Sequence, residues 1–313
     1  MKDTYKGETN SGDSNSYHIP VLLTEVLENL NINPDGIYVD CTFGGGGHSR
    51  AILQRLNKNG KLIAFDQDED AKQNLPDDER VLFIPNNFRY LQRFLRLHGF
   101  GEVDGILADL GVSSHQFDEA ERGFSIRFDA LLDMRMDQRQ TKTAADILNE
   151  YSEEQLHKLF EQYGEVTNSK TLAKTIVEAR RTAALKTIGN LKNVLSPIVK
   201  GNPNKYLAQV FQALRIEVNA EMNALKEMLE QIPFVLKKGG RVAIITFHSL
   251  EDRMVKVFFK DNTFEAPVDN PFATTDRIKI LKLVNKKPIV ATSEEIKINP
   301  RSRSAKLRVA EKI

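Results

Sequence analysis

The sequence has little of what marks secreted, membrane-spanning or metal-built proteins. It contains one cysteine, Cys41, which excludes an internal disulfide. No uninterrupted apolar run approaches the roughly 18 residues that span a bilayer. The first residues carry no apolar segment of the kind that opens a secretory signal. The expected location is therefore the cytoplasm, away from any membrane. No group of His, Cys and Asp shows metal-ligand spacing, so neither a structural nor a catalytic metal is expected. Neither sign of charge is in excess: 44 Lys+Arg against 43 Asp+Glu leave a formal net charge of +1. That balance does not announce a nucleic-acid partner, but a mean can hide local asymmetry. The 313 residues suffice for one large domain or two modest ones, and the composition excludes collagen-like and wholly disordered chains.

The hydrophobic periodicity predicts alternating strands and helices. Residues 1–17 are polar and predict a flexible leader. A short helix is expected over 21–30, then a buried strand over 36–43, a helix over 48–57, and strands over 61–66 and 81–85. A helix over 88–99 and a fourth strand over 103–111 follow. Strands separated by helices of this length imply βαβ units, a parallel sheet and helices on both faces. From about 118 to 213 no strong strand is legible. Ser152 and Gln155 form a capping box ahead of a helix over 152–164, and a second helix is expected over 169–181. A long helix over 211–232, ended by Pro233, then leads to a strand over 239–249, a helix over 250–260 and candidate last strands at 288–290 and 305–313. The domain reading is a first α/β part over 18–124, a helical insertion over 125–213 and a second α/β part over 214–313.

Charge is uneven within the insertion. Residues 118–165 carry 12 acids and 6 bases, whereas 168–205 carry 8 bases and one acid, and the tail 297–313 carries six bases and one acid. Cationic stripes of that density are an electrostatic footprint for phosphates, or else a solvated helix face.

The most informative stretch is Val39 to Leu53, where four glycines, 44–47, follow a buried strand and open a helix at His48. Glycines let backbone approach a ligand without a Cβ clash, and a helix N-terminus offers unpaired N–H groups. Asp66 follows at the end of the second strand, where an acid can bind both hydroxyls of a ribose. Together these read as a nucleoside-cofactor site. A dinucleotide turn usually reads G-x-G-x-x-G; here an acid, Asp40, precedes the run, awkward beside a pyrophosphate but suited to an ammonium. S-adenosylmethionine is therefore favoured over NAD. Phe88, after the third strand, could stack on an adenine or be an ordinary core ring. Asp109 ends the fourth strand, where doubly wound folds place their chemistry, with Ser113, Ser114, His115 and Gln116 in the same loop. His248 could contact RNA or cap the helix after it.

These blocks resemble a known family. HIPVLLTEVL (18–27), DCTFGGGGHSRAIL (40–53), AFDQDEDA (64–71), DGILADLGVSSHQFDEAERGF (104–124), LDMRMD (132–137), FQALRIEVNAEM (211–222), GGRVAIITFHSLEDRMVK (239–256) and NPRSRSAKLRVAEK (299–312) are similar to the ribosomal RNA small-subunit methyltransferase H family. The resemblance implies a Rossmann-like class I S-adenosylmethionine-dependent methyltransferase with an inserted helical substrate-recognition domain. It implies methyl transfer to the exocyclic N4 of one cytidine in the decoding centre of 16S rRNA, within the small ribosomal subunit. It puts cofactor contacts on Gly46, Gly47, His48, Asp66, Phe88, Asp109 and Gln116. Asp109 is the expected catalytic acceptor of an N4 hydrogen, and Phe124, Phe128 or Phe247 could stack the target base. The chain departs from the family where His115 stands in a Ser-Ser-Pro-Gln pattern and where Ala130 and Leu131 replace Gly-Pro. It departs again at NPNKYLAQV (202–210). Another RNA or protein substrate, and an NAD-linked oxidoreductase, stay as alternatives; no obligate protein partner is evident, and a homodimer is left open.

Overall fold

A computed structural model describes residues 20–265 and 279–313; the expected leader, 1–17, lies outside the described residues. The chain opens with α1 (Leu23–Leu30), β1 (Ile37–Asp40), α2 (Gly47–Leu53), β2 (Lys61–Phe65) and β3 (Val81–Ile84). Then come α3 (Leu91–Leu97) and β4 (Val103–Asp109). A short helix, α4 (Ser114–Asp118), leads into α5 (Ala144–Glu150), α6 (Glu153–Gln162), α7 (Ser169–Arg180), α8 (Ile188–Leu195) and α9 (Pro203–Asn219). The chain returns through α10 (Glu221–Val235), β5 (Leu236–Thr246) and α11 (Ser249–Asp261). It ends with β6 (Leu281–Leu283), β7 (Ile289–Val290), α12 (Ser293–Ile298) and β8 (Lys306–Lys312).

One sheet takes all eight strands of the described residues, in the order β3-β2-β1-β4-β5-β8-β6, with β7 also on β8. Strands β1 to β5 run parallel, and β8 is antiparallel to β5, β6 and β7. Helices cover both faces, so the central strands are near-continuous apolar runs rather than alternating ones. Ile106 and Ala108 pack with residues of α3, α10 and α11 on one face. Leu107, between them, packs with residues of α1 and α2 on the other. The fold is doubly wound: β2 lies on one side of β1 and β4 on the other. Ligands of such sheets bind at the carboxyl ends where the strand order reverses. Here those ends carry Asp40 and Asp109.

The helical region from the end of β4 to α9 has a separate apolar core, running from Phe124 through Leu156, Phe160, Ile176 and Leu191 to Val218. Four of the chain's helices there start with a reciprocal side-chain cap: Ser113 with Gln116, Thr143 with Asp146, Ser152 with Gln155 and Thr187 with Asn190. Each satisfies N–H groups that a helix start leaves without intrahelical partners.

The structure differs from the sequence reading at the long helix expected over 211–232. Two helices replace it, α9 and α10, hinged at Ala220 in the left-handed region at φ 48°. The reason is tertiary. Buried Asn219 donates to the Met134 carbonyl and accepts from the Met136 N–H, which pins the chain just before the hinge. Nor does Pro233 end the helix: α10 continues to Val235, and Leu236 N–H still bonds to Ile232. A proline so near a helix end removes only one bond of the ladder.

Candidate active site at the switch point

The glycine run is built from two kinds of position. Gly46 holds φ 71° as the residue before α2, and a Cβ there would meet the Phe43 ring at 2.8 Å. A Cβ on Gly47 would land in the Pro20 ring. These two glycines are therefore required by the protein's own packing. Gly45 faces open space: a Cβ there would meet no atom within 4 Å. Gly45, which the sequence reading did not single out, leaves the clearest room for a ligand. Its signal was present in the run but could not be separated from its neighbours without coordinates.

Asp66 and the glycine turn are one unit. Asp66 Oδ2 accepts from the Gly44 N–H at 2.7 Å, and Oδ1 accepts from Asp68 N–H at 2.9 Å. Each oxygen keeps a second lone pair for a ligand hydroxyl. Burial pushes this carboxyl up to about 6. Phe88 stands half-buried in the short turn after β3, held where Asn87 caps the turn and bonds to Gln67. Its ring packs beside the core formed with Leu91.

Asp40 closes rather than opens the crevice. Only 1% exposed, it accepts from Ser49 Oγ at 2.7 Å and from Thr42 N–H at 3.0 Å. It ties α2 to β1, so the ammonium role expected for it has no room. His48 is also buried; its Nε2 lies 3.0 Å from the Val21 carbonyl and its Nδ1 lies 3.6 Å from Asp109 Oδ2. Burial lowers this imidazole, so it stays largely uncharged. Asp109 has its backbone N–H on Thr42 Oγ1, and its Oδ1 is buried without a partner among the described residues. Burial first, then the negative Asp40 and Glu251, pushes its carboxyl up to about 8.

An acid-lined crevice with an unpartnered carboxylate oxygen calls for a positively charged ligand. A pyrophosphate would add negative charge beside Asp66 and Asp109, raising the desolvation cost. A sulfonium and an ammonium relieve it, so these residues fit S-adenosylmethionine and not NAD.

Gln116 is placed differently from the other expected contacts. It is 4% exposed; its Oε1 accepts from Ser113 N–H and its Nε2 donates to Asp68 Oδ2 at 2.6 Å. Asp68 also takes Arg122 Nη2 at 2.8 Å, while Arg122 Nη1 reaches Asp70 at 2.9 Å. Arg122 donates further to the carbonyls of Arg135 and Met136. This buried bolt joins the segment after β2 to the start of the helical region. The sequence reading missed Arg122 because its carboxylate partners lie more than fifty positions away.

Among the rings proposed to stack a base, Phe124 is 6% exposed in the helical core and Phe128 is 39% exposed beneath Arg127. Phe247 lies beside the loop that follows Asp109: a Cβ on Gly111, two residues past Asp109, would lie 3.3 Å from its ring. His248 caps α11, in a reciprocal arrangement with Glu251. Glu221, His248 and Glu251 bring metal-type donors within 4.8 Å of one another. Arg215, however, grips Glu221 with two bonds of 2.8 Å, and a guanidinium in the group opposes a cation.

A doubly wound sheet with an acid-lined crevice at its switch point, a glycine turn and an acid after β2 defines a Rossmann-like methyltransferase. The family model described as the MraW methylase family matches residues 15–313. A "Ribosomal RNA small subunit methyltransferase H" of Parabacteroides distasonis is 57% identical over 299 residues, covering 95% of this chain and 98% of that one. Proteins of the same name from Bacteroides thetaiotaomicron and Flavobacterium johnsoniae are 55% and 56% identical, with 96% and 95% of this chain covered and 99% and 98% of theirs. The chain belongs to the MraW methylase family.

Proposed function

We propose that this protein methylates small-subunit ribosomal RNA, using S-adenosylmethionine, at the exocyclic N4 of one cytidine in the decoding centre of 16S rRNA. Family membership and the names of its relatives support the rRNA substrate. The observation that carries the chemistry is the Asp109 carboxyl at the switch point with one oxygen unpartnered.

Bound S-adenosylmethionine supplies an electrophilic methyl carbon on sulfur. The chain must do the rest. Cytosine N4 is a poor nucleophile, because its lone pair is delocalised into the ring, so alignment and a proton acceptor are both required. Alignment can supply roughly 7–11 kcal/mol of a barrier. Asp66 holds the ribose of the donor, Phe88 packs on its adenine, and the backbone at Gly45 to His48 accommodates its polar end. Asp109 takes the N4 hydrogen. Held near 8 in the free protein, Asp109 carries a proton at neutral pH; a cation bound beside it favours the carboxylate, the form that can accept. Cytosine C5 chemistry, which needs a nucleophilic cysteine, finds no support. Cys41 is buried, and burial pushes its thiol well up.

The helical segment 125–213 is the substrate-recognition part in this reading. Lys170, Arg181, Lys186, Lys192, Lys200 and Lys205 are exposed on it, available to phosphates. Most bases of the tail serve the fold instead: Arg301 pairs with Asp118, Lys306 and Arg308 with Asp252, and Lys312 with Glu102.

The deciding experiment supplies labelled methyl donor to small subunits lacking the modification and then separates the nucleosides. Label in N4-methylcytidine supports the reading; label in another nucleoside or in protein overturns it. A second experiment tests the donor site. Gly45→Ala should leave the melting temperature unchanged and weaken S-adenosylhomocysteine at least about tenfold, or ~1.4 kcal/mol, by calorimetry. Gly47→Ala should instead lose about 1–3 kcal/mol of stability through overpacking against Pro20. Equal donor affinity in Gly45→Ala and wild type would place the ligand elsewhere.

A further inference from the structure

A cavity of about 250 Å³ lies beyond the end of β5, lined by Phe247, His248, Ser249, Val290, Arg303 and Lys306 among others. None of these residues belongs to the donor site. Its volume falls below the about 300–1,000 Å³ of sites that enclose whole small molecules, which suits a single planar group rather than a cofactor. Its position is set by strand register. Asp109 pairs with Ile245, so Phe247 stands two residues beyond the partner of the proposed proton acceptor, about 7 Å along the strand. The cavity therefore adjoins the place where the target base must sit.

The walls are held fixed. Arg301 bonds to Ser114 and Asp118 and lies over the Phe117 ring, tying the turn of residues 300–304 to α4. Lys306 and Arg308 hold the following strand to Asp252 of α11. His248 is kept against Glu251 at 3.1 Å. Arg303 differs from the other arginines of this tail: exposed, it has no acid partner among the described residues. A half-exposed aromatic face and an unpaired guanidinium on one rigid rim are what single-stranded RNA recognition uses, with the ring stacking a base and the arginine meeting a phosphate.

We propose that this cavity is a nucleotide subsite in which Phe247 stacks the base adjoining the target cytidine and Arg303 binds its phosphate. The proposal rests on the RNA reading of the active site but concerns binding, so the two can fail separately. The test uses the full chain saturated with S-adenosylhomocysteine and a fluorescein-labelled single-stranded RNA octamer containing the target cytidine, read by anisotropy. Phe247→Leu should weaken the octamer roughly tenfold, within the range of one lost base stack, without changing the salt slope. Arg303→Ala should weaken it and lower the magnitude of the slope by about 0.7, the share of one phosphate contact, and Arg303→Lys should restore that slope. With small subunits as substrate, the Arg303→Ala loss should appear in KM with kcat within about twofold of wild type. Wild-type octamer affinity in Phe247→Leu and in Arg303→Ala overturns the subsite, as does a matching loss of S-adenosylhomocysteine affinity in either variant. Arg303 is exposed and unpaired, so its variant folds even if that of Phe247 does not. Octamer binding that obeys these changes in a protein that transfers no methyl group would retain the subsite and remove the proposed reaction.

Discussion

Asp109→Asn is expected to lower the methyl-transfer rate by about 10²–10⁴-fold, the usual contribution of a positioned proton acceptor. The amide keeps the volume and the contact to His48 but cannot take the N4 hydrogen. The loss should fall on kcat and kcat/KM together, measured on unmodified small subunits. Stability should move the opposite way. Burial holds the folded carboxyl at about 8 against the ordinary 3.8 of aspartate, so the native state binds the extra proton across that window. Its contribution is complete below about pH 4 and is lost as pH rises through 8. Asp66, near 6, completes its titration earlier. The wild-type melting temperature should therefore still fall between pH 7 and 9, and Asp109→Asn should remove most of that fall. Full transfer rate in Asp109→Asn with unchanged donor affinity would confine Asp109 to binding. The same titration couples to the ligand. A cationic donor should bind more tightly as pH rises from 6 to 8 and release a proton near neutrality. S-adenosylhomocysteine, without the sulfonium charge, should release less, as calorimetry in buffers of different ionisation enthalpy would show.

Arg122→Leu should be the most destabilising single change near the site. Arg122 is 8% exposed and Asp68 5%, and their ion pair is the main compensation for a buried carboxylate. Removing one partner of such a pair costs about 3–5 kcal/mol, on the order of 10 °C in melting temperature for a chain of this size. Donor affinity should fall as well, because Asp68 N–H holds Asp66 Oδ1. Adding Asp68→Asn to Arg122→Leu should recover part of the stability, since the uncompensated charge is then gone; additive losses in the double variant would mean the pair carries no coupling. Arg122→Lys should recover little, because one ammonium cannot serve Asp68, Asp70 and two carbonyls together.

The site itself was legible where its signals are local. The glycine run, Asp66 at a strand end and Asp109 at another are each marked within a few residues, and all converge on one crevice. Gln116 was legible as a residue of the right loop, yet its amide is bonded to Asp68, a partner 48 positions earlier. Asp40 misled for a related reason. The sequence places it beside the glycines, but only coordinates show Ser49 folding back over it. Phe247 could be named as one of three rings, and its place beside Gly111 singled it out only in the coordinates.

Helices, strands and their apolar faces follow from periods of 3.6 and 2, and caps such as Ser152 with Gln155 from spacings of three. These interactions lie within one turn of chain, so the sequence by itself determined the α/β alternation, the helical interruption and the nucleoside-type turn. The hinge at Ala220, the pairing of β8 between β5 and β6, the Arg122 bolt and the cavity rim depend on groups tens to hundreds of positions apart. Such pairs are selected by packing and by the need to satisfy buried polar groups, a requirement that exists only after the chain has collapsed, and so the tertiary structure alone decided them.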